Sequence, residues 1–341
     1  MKADRTATST STLQLGKTSL LMLILAVFAF ALITSGTWIA RRDPSVDATL
    51  LHIARSAQLI VYFLAAFMFR NHLPMVKRIF TIALIGLLLH LGLNGLLLGG
   101  LLDGTGEMTI GAISSVLSGI SSGCVTLLAA HVISSYAPRY SVPAFVIAYL
   151  VTEAAFALSI YVSDSLVSVL QPALKLSGFI ALFVCMKHKE NIGASILENP
   201  LQYGIKYEVD SNEKPLRFLV SGTDWTFQLI IAAFVPFMFG FMSQLLSADG
   251  MSSSLHDWDS EVAAIIALSL LVAYSLMRGR KFGLNDLLLI VVPLYATGLL
   301  LLPLLWGREI LIGSAFIKCG LVTYQAIIWA LLARKAFEDP R

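Results

Sequence analysis

Three charged residues within long apolar runs are the first candidates for chemistry in this chain. Glu153 and Lys175 lie near the centres of two consecutive apolar runs, and Lys318 lies inside a later one. An ionisable side chain at membrane depth is costly, so each of them is a candidate functional residue. Because a tight loop joins the runs of Glu153 and Lys175, we expect these two to pair. The pair would either recognise a polar or zwitterionic ligand or lock the hairpin as a structural ion pair.

Lys318 has no acidic residue in its own run that could neutralise it. Its partner is either Glu153, reached across a central cavity, or an anionic ligand. Gln325 lies two turns further along the same helical face, and Tyr324 is close to it in sequence. Lys318 is therefore either the centre of a ligand site or one half of a structural pair.

Other polar residues also fall inside apolar runs. His90 and Asn94 are four residues apart, which places them on one helical face. They form either a hydrogen-bonded packing pair or a group that responds to proton uptake. Arg55 and Gln58 would lie about 10 Å below the outer surface by helical rise, where they guide an anion inward or Arg55 snorkels. The predicted ligand-binding residues are Lys318, Glu153, Lys175, His90, Asn94, Arg55, Gln58 and Gln325.

The elements that must position these residues are apolar runs long enough to cross ~30 Å of hydrocarbon as helices. The 341 residues are 57% hydrophobic and 13% charged, whereas soluble domains carry about 25% charged residues. This balance excludes an ordinary soluble enzyme and predicts an all-α, polytopic membrane bundle of about ten helices. The predicted spans are 18–40, 48–69, 79–102, 109–136, 142–162, 165–186, 225–246, 261–277, 283–304 and 309–333. The first run is too long for a signal peptide.

The basic residues predict the orientation of these spans. With the N-terminus inside, eighteen of the 24 Lys and Arg residues fall on cytoplasmic segments, as the positive-inside rule requires. Ten of the 21 acidic residues, Glu261 among them, fall on predicted outer loops. We therefore expect a plasma (inner) membrane protein with both termini in the cytoplasm. The predicted divisions are an N-terminal tail (1–17), a six-helix half (18–186), a cytoplasmic linker (187–224), a four-helix half (225–334) and a C-terminal tail (335–341).

Several function classes lack their sequence signatures. The chain has no Gly-rich phosphate loop with a lysine, no His-Glu-x-x-His and no Cys-x-x-Cys. Its three cysteines lie in apolar runs and are interpreted as packing residues. We expect no enzyme activity, no cofactor or metal, and no nucleic-acid binding through these residues. Glu153 is the one carboxylate assigned to mid-membrane, which disfavours strong ion coupling.

The fourth span contains two rows of small residues at four-residue spacing, which let helices approach closely in lipid. The rows are Ser114, Ser118 and Ser122 on one, and Ser115, Gly119 and Gly123 on the next. They form either a surface that slides during alternating access or static close packing.

Six spans, a linker and a second set of spans, with basic loops at 70–78 and 278–283, resemble the major facilitator superfamily. Its loop motif is partly preserved in Arg278-Gly279-Arg280-Lys281. The segments 114–123, 216–241 and 316–334 resemble the membrane domain of LuxR-type regulators, in which twelve helices precede a DNA-binding helix-turn-helix. No helix-turn-helix pattern occurs here, so the resemblance implies a truncated or degenerate relative that is short by two helices.

This resemblance implies a central cavity that binds a small organic ligand in the lipid bilayer. The leading expectation is a small-molecule-sensing module of a LuxR-type regulator, and the alternative is a secondary transporter of a small organic solute. A third interpretation is a decayed membrane protein with neither activity. Coding DNA that continues beyond Arg341 into two more spans and a helix-turn-helix would support sensing, and a stop codon in an intact gene would contradict it.

Overall fold

The computed structural model describes residues 17–39, 48–68, 75–98, 105–136, 141–198, 258–278, 284–305 and 309–338. Their regular elements are all helical. In lipid a backbone must satisfy its own hydrogen bonds, and a helix does this within one apolar segment. The helices are α1 (Lys17–Ile39), α2 (Ala48–Met68), α3 (Met75–Leu98), α4 (Thr105–Tyr136), α5 (Ser141–Ser159), α6 (Asp164–Glu198), α7 (Trp258–Arg278), α8 (Leu284–Leu301) and α9 (Ile310–Glu338), with a short 3-10 turn at Leu302–Leu304.

Seven of these helices are long and apolar enough to cross a membrane, namely α1, α3, α4, α5, α6, α7 and α9. Helix α8 contributes a shorter apolar stretch, Leu289–Leu301. Large apolar side chains such as Leu59, Leu270 and Leu289 are exposed on the bundle surface, where lipid would cover them. The chain is therefore an all-helical integral membrane protein.

The predicted helix boundaries agree with the structure to within a few residues at most ends. The main exception is α6, which continues to Glu198, so that the beginning of the predicted linker 187–224 is helical. The predicted span 225–246 lies outside the described residues, as do the predicted N-terminal tail up to residue 16 and the last three residues of the C-terminal tail. Seven candidate spans are confirmed, and the total of about ten stays a prediction.

Helix α4 lies at the centre of the packing. It contacts α1, α2 and α3 extensively, and it also meets α6 and α9. Helix α9 packs against α5, α7 and α8. Helix α1 packs against both α5 and α6, and its Phe30 ring meets Phe145 of α5 edge to face with the ring centroids 5.2 Å apart. The two helices of the α5–α6 hairpin thus lie on different sides of α1.

Glycines allow the closest helix contacts. A Cβ atom on Gly119 of α4 would clash with the backbone carbonyl of Ala54 in α2 and would lie 2.9 Å from Cβ of Ala57. A Cβ atom on Gly123 would lie 3.1 Å from Val61. The predicted small-residue row of α4 is therefore in close contact with α2, as expected for small-xxx-small packing.

Substitution of Gly119 by alanine should destabilise the bundle by about 1–3 kcal/mol, because the added methyl group forces α2 and α4 apart. Gly92 of α3 is the matched control, since a Cβ there meets no atom within 4 Å. Gly92→Ala should be neutral or mildly stabilising because alanine is the better helix former. The free energy of unfolding in mixed detergent micelles measures both. Equal effects of the two substitutions would contradict the close α2–α4 contact.

Candidate functional site

A buried cluster of three charged side chains joins three helices. Lys318 Nζ of α9 lies 3.6 Å from Glu153 Oε2 of α5, and it donates a hydrogen bond to Glu261 Oε1 of α7. Glu153 and Glu261 are completely buried, and Lys318 is 4% exposed. We name Glu153, Glu261 and Lys318 the charged triad.

The triad lies towards the side of the bundle where α7 and α9 begin. Glu261 is in the first turn of α7, and Lys318 follows the start of α9 by eight residues, or about 12 Å of helical rise. Glu153 precedes the end of α5 by six residues, or about 9 Å. The Phe156 ring, one turn beyond Glu153, lies 5.4 Å from the Lys318 ammonium and adds a cation–π contact.

Of the two predicted partners of Lys318, the structure confirms Glu153. The expected pair between Glu153 and Lys175 is wrong. Lys175 Nζ instead donates a hydrogen bond to Ser118 Oγ of α4 at 2.9 Å, and it forms no ion pair with any described residue. The reason is the packing, because both helices of the hairpin pack against α1 and not extensively against each other.

The sequence interpretation of Glu261 as an outer-loop residue is also wrong. The residue is helical and completely buried against Lys318. The structure therefore contains a second buried carboxylate in contact with Lys318. The prediction that Glu153 is the one carboxylate at mid-membrane stays a prediction. One signal was available in the sequence: Glu261 is the first residue of the predicted span 261–277. Its neighbours Asp257 and Asp259 made the whole segment resemble a solvated loop.

The Lys318 ammonium lies closer to Glu261 than to Glu153, whose Oε2 it approaches to 3.6 Å. Both carboxyl groups therefore face the same ammonium.

His90 and Asn94 of α3 form a closed hydrogen-bond network with Ser114 of α4. His90 Nδ1 lies 2.9 Å from Ser114 Oγ and 3.1 Å from the Ser114 carbonyl oxygen. Ser114 Oγ donates to Asn94 Oδ1 at 2.9 Å, and Asn94 Nδ2 lies 3.4 Å from His90 Nε2. Both ring nitrogens have partners, which is the arrangement expected of a packing pair between α3 and α4.

The remaining predicted residues lie apart from the triad contacts. Gln58 Nε2 donates to Tyr62 Oη at 2.5 Å within α2, and the Tyr62 ring meets Trp329 of α9 with the centroids 5.0 Å apart. Gln325 Oε1 is buried and has no hydrogen-bond partner among the described residues. Arg55 is exposed on the surface of α2. Of the eight predicted residues, the structure joins Glu153 and Lys318 in the triad and His90 and Asn94 in the network with Ser114.

A small cavity lies beside Lys175 between α1, α3, α4 and α6. Its lining is mostly apolar and consists of Ile33, Leu87, Ser121, Ser122, Val125, Lys175 and Phe179. Ser121 Oγ donates to the Ala83 carbonyl oxygen at 2.9 Å, which joins α4 to α3. Within the described part of the chain, no group of three or more His, Cys, Asp and Glu side chains is arranged to hold a metal ion.

No family model, curated protein or solved structure matches the chain.

Replacement of Lys318 by methionine should cost about 3–5 kcal/mol of stability, because it leaves two carboxylates buried without their cation. Lys175→Met is the matched control: it removes a similarly buried ammonium that donates to one serine hydroxyl, so it should change stability by less than about 1.5 kcal/mol. Unfolding free energies in mixed micelles measure the difference. If Lys175→Met cost as much as Lys318→Met, the triad would have no special role in stability.

Proposed function

We propose that this integral membrane protein binds a small organic molecule at the charged triad and responds by changing the packing of its helices. The observation that carries the proposal is the triad itself, which joins α5 of the predicted first half to α7 and α9 of the predicted second half. A ligand that replaces one member of this contact would favour the packing in which the halves have separated. Such a shift needs a difference in ligand affinity between the two packings.

The charges of the triad indicate the class of ligand. Two carboxylates and one ammonium carry a formal charge of −1 when all are ionised, and both acids are already close to the ammonium. An anionic ligand would add a third negative charge to this buried site. A cationic or zwitterionic molecule would instead place a positive charge beside the two carboxylates, and we favour this class over the anion considered from the sequence.

Sensing is supported by the position of the triad on α9. The helix continues from Lys318 to Glu338, which is about 30 Å by helical rise. A displacement of Lys318 would therefore be transmitted by a continuous helix towards the predicted cytoplasmic C-terminus. This favours a non-catalytic sensor module in the plasma membrane, with the LuxR-like resemblance as further support.

Transport is the second candidate, and the observation in its favour is Glu261. Proton-coupled carriers use acidic side chains inside the membrane as relays. The sequence interpretation placed only Glu153 there, whereas the triad contains two buried carboxylates.

Three simple probes test the ligand site in lipid nanodiscs: tetramethylammonium, glycine betaine and benzoate. We expect the cation or the zwitterion to raise the melting temperature and benzoate to leave it unchanged. Glu153→Gln should reduce the shift, and Glu107→Gln, at an exposed residue of α4, should preserve it. The proposal is wrong if no probe shifts the melting temperature, or if the shift is the same in both variants.

Uptake of the stabilising probe into proteoliposomes separates the two candidates. A sensor should bind the probe without moving it across the bilayer, so uptake should equal that of protein-free vesicles. Accumulation above this level, lost in Glu153→Gln, would instead show transport.

A further inference from the structure

Lys175 of α6 is a buried cation that lies apart from the charged triad. It belongs to the candidate membrane span Val169–His188 and is 5% exposed. Its one hydrogen bond among the described residues goes to Ser118 Oγ of α4 at 2.9 Å, and it forms no ion pair with them. A buried charge compensated only by a neutral hydroxyl is costly. A species that supplies negative charge would therefore be stabilised beside Lys175.

The helices around Lys175 cannot supply this charge themselves. Helices α1 and α3 contain no acidic residue. The nearest acids along α4 and α6 are Glu107 and Asp164. Each precedes Ser118 or Lys175 by eleven residues, which is about 16 Å of helical rise. His90 of α3 carries positive charge or none, so it adds no anion.

The position of the Lys175 side chain is fixed by α1. A Cβ atom on Gly36 would lie 2.9 Å from Cγ of Lys175, so the backbone of α1 packs directly against the lysine stem. A lysine near a membrane surface can extend its ammonium into water. Lys175 is six residues inside its candidate span and is nevertheless buried. Its ammonium therefore stays inside the bundle.

The cavity beside Lys175 has the size of a single small particle. Its volume is about 10 Å³, which is close to the minimum for one water molecule. Apart from Lys175, its lining is apolar except for Ser121 and Ser122 of α4. The space can therefore take a water molecule or a monatomic ion, but it is too small for an organic molecule.

The polar groups at this cavity are mainly donors. Lys175 uses one of its three N–H bonds on Ser118 Oγ, and the Ser118 hydroxyl, which accepts there, can still donate its own hydrogen. No hydrogen bond joins the Ser122 hydroxyl to any described residue, whereas Ser121 Oγ donates to the Ala83 carbonyl oxygen at 2.9 Å. An ammonium and two hydroxyl groups without a nearby carboxylate suit an anion, because hydrogen bonds to an ionised acceptor are strong.

We propose that Lys175, Ser118 and Ser122 bind one monatomic anion of the halide class, such as chloride, between α4 and α6. The binding is reversible and non-covalent: the ammonium supplies the opposite charge, and the two hydroxyl groups donate hydrogen bonds. The anion brings the net charge around Lys175 to zero and strengthens the contact of α6 with α4. This site does not depend on the function proposed for the triad, because the two share no helix.

Melting temperatures of the full chain in lipid nanodiscs test the anion site at constant ionic strength. Sodium gluconate, whose anion is too large for the cavity, is replaced stepwise by sodium chloride or sodium bromide. The wild-type melting temperature should rise with either halide, reach saturation, and exceed the value in gluconate by roughly 2–4 °C. Equal melting temperatures in the three salts would overturn the proposal, even if every variant failed to fold.

Three variants locate the bound anion. Lys175→Met should abolish the rise with chloride, and Ser122→Ala should increase the half-saturating chloride concentration severalfold. Ser177→Ala is the matched control, because this exposed hydroxyl on the helix of Lys175 donates only within α6, and it should behave as the wild type. A rise that survives Lys175→Met would be a general salt effect and would overturn the site. An unchanged half-saturating concentration in Ser122→Ala would contradict the part assigned to Ser122.

Discussion

The cost of burying charge determines how α5, α7 and α9 are assembled. Lys318 is buried on α9, and it is compensated only because α5 and α7 each bring a carboxyl group to it. The attraction in such a place is strong, but it offsets the loss of hydration only when both partners are held in position. Apolar packing would allow many angular arrangements of three helices. The triad restricts them to arrangements in which Glu153 and Glu261 both face Lys318.

The small residues of α4 also help to bury polar side chains, because their hydroxyl groups provide hydrogen-bond partners. Ser114 and Ser118, one turn apart, provide hydroxyl groups to two separate polar clusters, the His90–Asn94 pair of α3 and Lys175 of α6. The neighbouring glycine row allows α2 to approach α4 closely. A central helix of larger residues could not provide both functions.

The sequence predicted the helices well because their determinant is local. A run of apolar residues long enough to cross the hydrocarbon must form a helix, and nine of the ten predicted runs coincide with described helices, whereas 225–246 lies outside the described residues. The contacts of the buried charged side chains were predicted less well. A sequence indicates the depth of a residue along its helix but not the direction that its side chain faces. Lys175 and Glu153 had suitable depths for a pair, yet α1 lies against both of their helices. Glu261 was missed because a carboxylate at the first turn of a span resembles a loop residue until a lysine is found opposite it.

The two buried lysines show how a structural group differs from a group suited to regulation. Lys175 contacts a serine hydroxyl within one cluster of helices, and any movement that preserves the α4–α6 contact leaves its surroundings unchanged. Lys318 is shared by two acids on two other helices, so its environment changes as soon as either helix moves. An equilibrium between two packings can be controlled only by an interaction whose energy differs between them. Among the contacts of the described residues, the triad meets this condition most directly, because separation of α5 from α7 and α9 breaks its ion contacts.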